Sequence, residues 1–114
     1  MNICQEQREL MNLDKAAGYL GLAARAGKVM SGEFSAEKAI RQKNVYLLLL
    51  SSDASMNTKE HFQRLCSKYN VPVCELFDKE TLGHVIGKNY RAAAAVTDQR
   101  LAEAIIKVLQ TELQ

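Results

Sequence analysis

Along residues 12–26 the apolar positions Leu13, Ala16, Ala17, Leu20, Ala23 and Ala24 recur at helical spacing, and Gly27 supplies a stop. Residues 28–30 read as a short strand. A second helix follows over 32–43, with Ala36, Ala39 and Ile40 as its apolar edge. VYLLLL (45–50) is apolar at every position, as expected of a strand covered on both faces. SSDASMN then provides turn and capping residues before a helix over 58–69 that buries Phe62, Leu65, Cys66 and Tyr69. VPVCELF (71–77) is the third strand. Asp78 caps a short helix that runs to residue 86 and stops at Gly87. AAAAV (92–96) has the composition of a helix, yet its position between a Gly-Lys-Asn loop and the cap Asp98 predicts a central strand crowded by helices. A last helix spans 99–112, with Leu101, Ile105, Val108 and Leu109 inward. Helices that alternate with strands in this way pack on both faces of one sheet.

The chain has 114 residues, enough for one domain, and 47% of them are apolar, enough for a core. Residues 12–114 are expected to form that domain. Residues 1–11 are expected to be a loosely held extension, because a second Met-Asn pair at Met11 and Asn12 precedes the first periodic segment. No apolar run approaches the roughly 20 residues of a membrane helix, and the polar N-terminus has no secretory pattern. A cytoplasmic protein without membrane contact is expected. The three cysteines, Cys4, Cys66 and Cys74, form no CxxC pair and read as free thiols. Fifteen cations against thirteen anions leave a net charge of +2, so any basic surface must be local.

Catalytic and cofactor motifs fail on spacing. GLAARAGKV (21–29) has five residues between its glycines where a phosphate-binding loop needs four, and Val29 stands where the metal-binding hydroxyl belongs. His61 lies five residues before Cys66, which puts the two on different helical faces. His84 reads as a surface histidine. Asp53, Asp78 and Asp98 read as caps or turn residues. No enzyme, metal site or cofactor is expected.

SGEFSAEKAIRQKN (31–44) is more informative. With Ala36 pointing to the core, Phe34, Lys38 and Arg41 fall at about 160°, 200° and 140° on the helical wheel. This outward stripe sets an aromatic among cations. Ser31, Gly32 and Glu33 lie at the helix start, where free N–H groups favour an anion. GKNYR (87–91) repeats the chemistry, with Lys88 and Arg91 around Tyr90. Aromatics between cations suit a single-stranded or irregular RNA, although lone exposed aromatics and solvated cations are also ordinary surface features.

The run from Gly32 through Lys38 and Ala39 resembles the kink-turn-binding ribosomal protein family. So do the strand VYLLLLSSDAS, the helix ending LCSKYNVPV and the segment LGHVIGKNYRAAAAVTD. This is the superfamily of the large-subunit proteins numbered seven-Ae and thirty-e, including its small bacterial members. The resemblance covers about residues 12–110, and its most specific parts are LGxxxG at 82–87 and Ser52-Asp53. It implies a three-layer α/β/α sandwich, with about five helices around a four-stranded mixed sheet, and a monomer that binds RNA without catalysis. The RNA would be a kink-turn in ribosomal RNA or an mRNA leader, with the ribosome as a host assembly. In the family, the start of the second helix reads tandem sheared G·A pairs, and the loop after LGxxxG covers the nucleotide flipped out at the bend. By position, Gly32, Glu33 and Lys38 match the helix motif, and Lys88, Asn89, Tyr90 and Arg91 match the loop.

This chain departs from the family pattern at Phe34-Ser35, where relatives carry Asn-Glu or Lys-Gln. Phe34 cannot hydrogen-bond a guanine edge. The expected site therefore uses Lys28, Lys38, Arg41, Lys88 and Arg91 for phosphates, Ser35 and the helix N-terminus as donors, and Phe34 and Tyr90 for stacking. Two other roles suit the same residues: a protein-interaction module that keeps the fold without kink-turn recognition, or the RNA-binding subunit of a modifying enzyme such as a ribose methyltransferase.

Overall fold

The computed structural model describes residues 5–110, with side chains from residue 12 onward. Five helices and four strands alternate: α1 (Gln5–Arg25), β1 (Val29–Ser31), α2 (Glu33–Arg41), β2 (Leu47–Leu50), α3 (Met56–Tyr69), β3 (Val73–Glu75), α4 (Lys79–Val85), β4 (Ala93–Val96) and α5 (Gln99–Gln110). The sheet has the order β1-β4-β2-β3. β4 runs antiparallel to both β1 and β2, while β2 and β3 are parallel, so the sheet is mixed as expected.

The two central strands are buried along their whole length. Leu47 and Leu49 of β2, with Ala94 and Val96 of β4, pack against Ala16, Leu20 and Ala23 of α1, Leu82 of α4, and Ala102 and Ile105 of α5. Leu48, Leu50, Ala93 and Ala95 face the other way, onto Ala36, Ala39 and Ile40 of α2 and Phe62, Leu65 and Cys66 of α3. This is the expected three-layer sandwich. Each buried leucine contributes about 1.5–3 kcal/mol. The alanines of β4 contribute little each, but they let helices approach from both sides, and that burial overrides their helix preference.

Boundaries differ from the sequence pattern in physically sensible places. α1 begins at Gln5 instead of residue 12, because the mostly polar stretch QEQRE at its start leaves no apolar periodicity to read. Residues 1–4 and the side chains of residues 5–11, where a loosely held extension is expected, lie outside the described residues, as do residues 111–112 of the last predicted helix. α3 starts two residues early, at Met56, because the Oγ of Ser55 accepts the N–H of Thr58 (3.1 Å) and caps the helix there. β3 keeps only Val73–Glu75 of the predicted 71–77.

The topology has one consequence for function. β1, β2 and β3 end at the same edge of the sheet, since Ser31 pairs with Ala94, Leu50 with Ala93, and Leu50 also with Glu75. The N-termini of α2, α3 and α4 therefore emerge at that edge, and the 87–92 segment enters β4 there.

Candidate nucleic-acid interface

Three helix N-termini meet at this edge, and they differ in how they are capped. α3 is capped by Ser55. α4 is capped twice: the Oδ1 of Asp78 accepts the N–H of Thr81 (2.7 Å), and the Oδ1 of Asp53 accepts the N–H of Lys79 (2.9 Å). The Thr81 contact holds the Asp78 carboxyl below its ordinary range. Asp53, at the end of the SSD stretch, thus locks α4 to the β2–α3 loop. α2 has Gly32 at its cap and no side-chain cap. Gly32 has φ 93° and ψ 154°, a region almost closed to other residues, and its N–H continues the sheet ladder to the carbonyl of Ala93 (2.9 Å). The first turn of α2 is left with its positive end facing outward.

The 87–91 segment is held against this end. The N–H of Lys88 reaches the carbonyl of Gly83 (2.8 Å) and that of Gly87 the carbonyl of His84 (3.1 Å), which closes α4 in a Schellman turn. The chain then passes back over α4 so closely that a Cβ on Gly83 would lie 1.6 Å from the Asn89 carbonyl oxygen. This contact gives the LGxxxG pattern its physical reason. The N–H of Arg91 donates to the carbonyl of Lys79 (3.1 Å), and its guanidinium reaches the Tyr90 carbonyl (2.9 Å) and the hydroxyl of Ser31 (3.4 Å). Arg91 thus ties the loop to the β1–α2 junction.

The result is a shallow cleft of about 410 Å³ lined by Ser31, Gly32, Glu33, Lys79, Tyr90, Arg91 and Ala92. A second depression of about 350 Å³ adjoins it between α2 and α3, lined by Glu33, Phe34, Glu37, Asn57, Thr58, His61 and Phe62. Glu33 stands between the two, and its Oε1 accepts from the hydroxyl of Thr58 (3.0 Å) on the α3 side. Phe34 is 82% exposed and Tyr90 67%, so both rings are free to stack. Ser35, Lys38, Lys88 and Asn89 are exposed on the same two elements.

Two predicted residues fall elsewhere. Lys28 precedes β1 at the opposite edge of the sheet, where its carbonyl accepts the N–H of Thr97 (2.8 Å). Arg41 ends α2 and forms an ion pair with Glu37 (3.0 Å), which His61 of α3 also engages. Those hydrogen bonds, from His61 first and Arg41 second, hold the Glu37 carboxyl below its ordinary range. Conversely, the pattern missed Lys79. Its only signal is that it heads a helix whose start must reach the same sheet edge as α2. It also missed Met56, which is 69% exposed at the start of α3. Burial pushes the Cys66 thiol up to about 11 and also raises that of Cys74, which favours the protonated form of each.

This architecture and sequence have relatives. The chain is 44% identical over 90 residues to a Bacillus subtilis (strain 168) protein named RNA-binding protein YlxQ, covering 79% of this chain and 90% of that one. An Enterococcus faecium protein of the same name is 33% identical over 99 residues, covering 87% of this chain and 95% of its own. Among solved structures, a Bacillus halodurans protein described as of unknown function superposes with a TM-score of 0.81 at 34% identity. That match covers 84% of this chain and 97% of the other. A Giardia lamblia 15.5kD RNA binding protein shares the fold with a TM-score of 0.71 at 17% identity, covering 99% and 91% of the two chains. The model of the ribosomal protein L7Ae/L30e/S12e/Gadd45 family matches residues 14–106, and the chain belongs to that family.

Proposed function

We propose that this protein is a non-catalytic RNA-binding protein that grips a kink-turn, or a similarly bent RNA, at the shared edge of α2, α4 and the 87–91 loop. The observation that carries this reading is the uncapped start of α2, set between two exposed aromatic rings and bordered by cations. The names of the Bacillus subtilis and Enterococcus faecium relatives support RNA as the ligand. In this reading the first turn of α2 and Ser35 donate hydrogen bonds, and Lys38, Lys79, Lys88 and Arg91 neutralise phosphates. Phe34 and Tyr90 stack on bases unstacked by the bend. Asn89 completes the loop surface. Lys28 and Arg41 stand outside this group and would meet only an RNA that reaches past the cleft.

Because Phe34 and Ser35 offer less base-edge readout than a polar pair, shape, stacking and phosphate contacts carry more of the recognition. The protein would act as a cytoplasmic monomer on a bend in ribosomal RNA or an mRNA leader. The test is a titration against three RNAs: a kink-turn, the same RNA with its tandem G·A pairs replaced, and a plain duplex of equal length. Binding to the kink-turn should be at least about tenfold tighter than to either control. Equal binding to all three would sink the kink-turn reading.

A further inference from the structure

α1 and α5 lie on the face of the sheet opposite α2 and α3 and pack against each other. An open groove of about 870 Å³ runs along the outer side of their seam. Tyr19, Leu22 and Val108 contribute its apolar side chains. Leu22 is 49% exposed, the most exposed leucine among the described residues. Gly18 sits among them in mid-helix, where glycine costs about 1 kcal/mol relative to alanine. No atom lies within 4 Å of where its Cβ would be, so nothing in the described fold requires the glycine. Its effect is to deepen the groove.

The rim is basic. Lys15, Arg25 and Lys107 line it, and among the described residues no acidic one does. Among the described residues neither Lys15 nor Arg25 has an ion-pair partner. Lys15, Gly18, Leu22 and Arg25 follow one another at helical spacing, so the two cations close the ends of a stripe about 15 Å long. That is the length of about three helical turns. We infer that the α1–α5 groove docks an acidic amphipathic helix of a partner protein, with its apolar stripe on Leu22 and Gly18 and its carboxylates on Lys15 and Arg25. A nucleic-acid backbone would use the cations and waste the apolar floor. A second copy of this chain would set the same basic rim against itself. This surface goes beyond the RNA reading and is lined by α1 and α5, neither of which lines the RNA cleft, so the two ligands use separate residues.

The test uses the full chain to select from a library of displayed peptides about 15 residues long. The selected peptides should share an apolar i, i+3/i+4, i+7 stripe flanked by Asp or Glu. Their affinity should drop at least about tenfold for Gly18→Leu, which fills the floor with a better helix former and so preserves the fold. Arg25→Glu should lose the same peptides and recover binding to versions carrying Lys in place of Glu. Kink-turn RNA should bind both variants as it binds the wild type, which separates this outcome from any failure of the RNA reading. An empty selection overturns the inference, as do peptides without the acidic pattern or equal binding to Gly18→Leu. A dimer dissolved by Gly18→Leu would also overturn it, by showing the groove filled by a second copy.

Discussion

At the scale of single residues, the most demanding position is Gly83. Any side chain there meets the Asn89 carbonyl, with the Cβ at 1.6 Å, and the loop cannot retreat freely because Lys88 N–H is bonded to the Gly83 carbonyl itself. Gly83→Ala should therefore destabilise the protein by about 1–3 kcal/mol and lift the 87–91 segment off α4. Urea unfolding and RNA titration should both register the loss. Glu37 gives a prediction of a different kind. His61 and Arg41 depress its folded-state pKa, so the stabilisation from its ionised form is complete above the unfolded value of about 4.5 and fades as pH falls through the lower folded value. Glu37→Gln should reduce the urea midpoint near neutral pH, and the gap from wild type should narrow as pH falls through the acid range. A gap of constant size across that range would show that the pair contributes nothing through its charge.

At the scale of elements, the β2–α3 turn couples two helices. The Ser55 hydroxyl donates to Thr58 Oγ1 (2.9 Å), and the Thr58 hydroxyl donates to Glu33 at the start of α2 (3.0 Å). Ser55→Ala removes both the cap and the first link, and should cost about 1 kcal/mol. The expected record is a lower urea midpoint with an unchanged slope. The elements themselves were legible in the sequence: unbroken apolarity in LLLL marked a strand covered on both faces, and the cap Asp98 let AAAAV be read as a strand against its propensity. The two halves of the candidate site were legible as chemistry, cation beside aromatic in each. Their proximity was not, because it rests on Ser31 pairing with Ala94 and on the Gly32–Ala93 bond, contacts some sixty residues apart in the chain. Lys79 was hidden for the same reason. Arg41 is the opposite case, since its partner Glu37 stands four residues earlier and the i, i+4 spacing of the pair is visible in the sequence itself.

At the scale of the whole molecule, a net charge of +2 from fifteen cations and thirteen anions is too small to hold RNA by its overall field. Affinity must come from the few cations that the topology gathers at one sheet edge, and the dependence on salt distinguishes the two cases. Four phosphate contacts by Lys38, Lys79, Lys88 and Arg91 would give a log–log slope of about −3. Lys79→Gln should make that slope shallower by about 0.7–0.9. Arg100 lies in the first turn of α5, after β4 has crossed to the opposite edge, and Arg100→Gln changes the net charge by the same single unit. If binding is local, Arg100→Gln leaves the slope unchanged while Lys79→Gln does not, and both proteins retain the fold because neither side chain is in the core and each helix keeps its Asp cap. Equal changes in slope from the two substitutions would assign the affinity to overall charge and remove the cleft from the recognition of RNA.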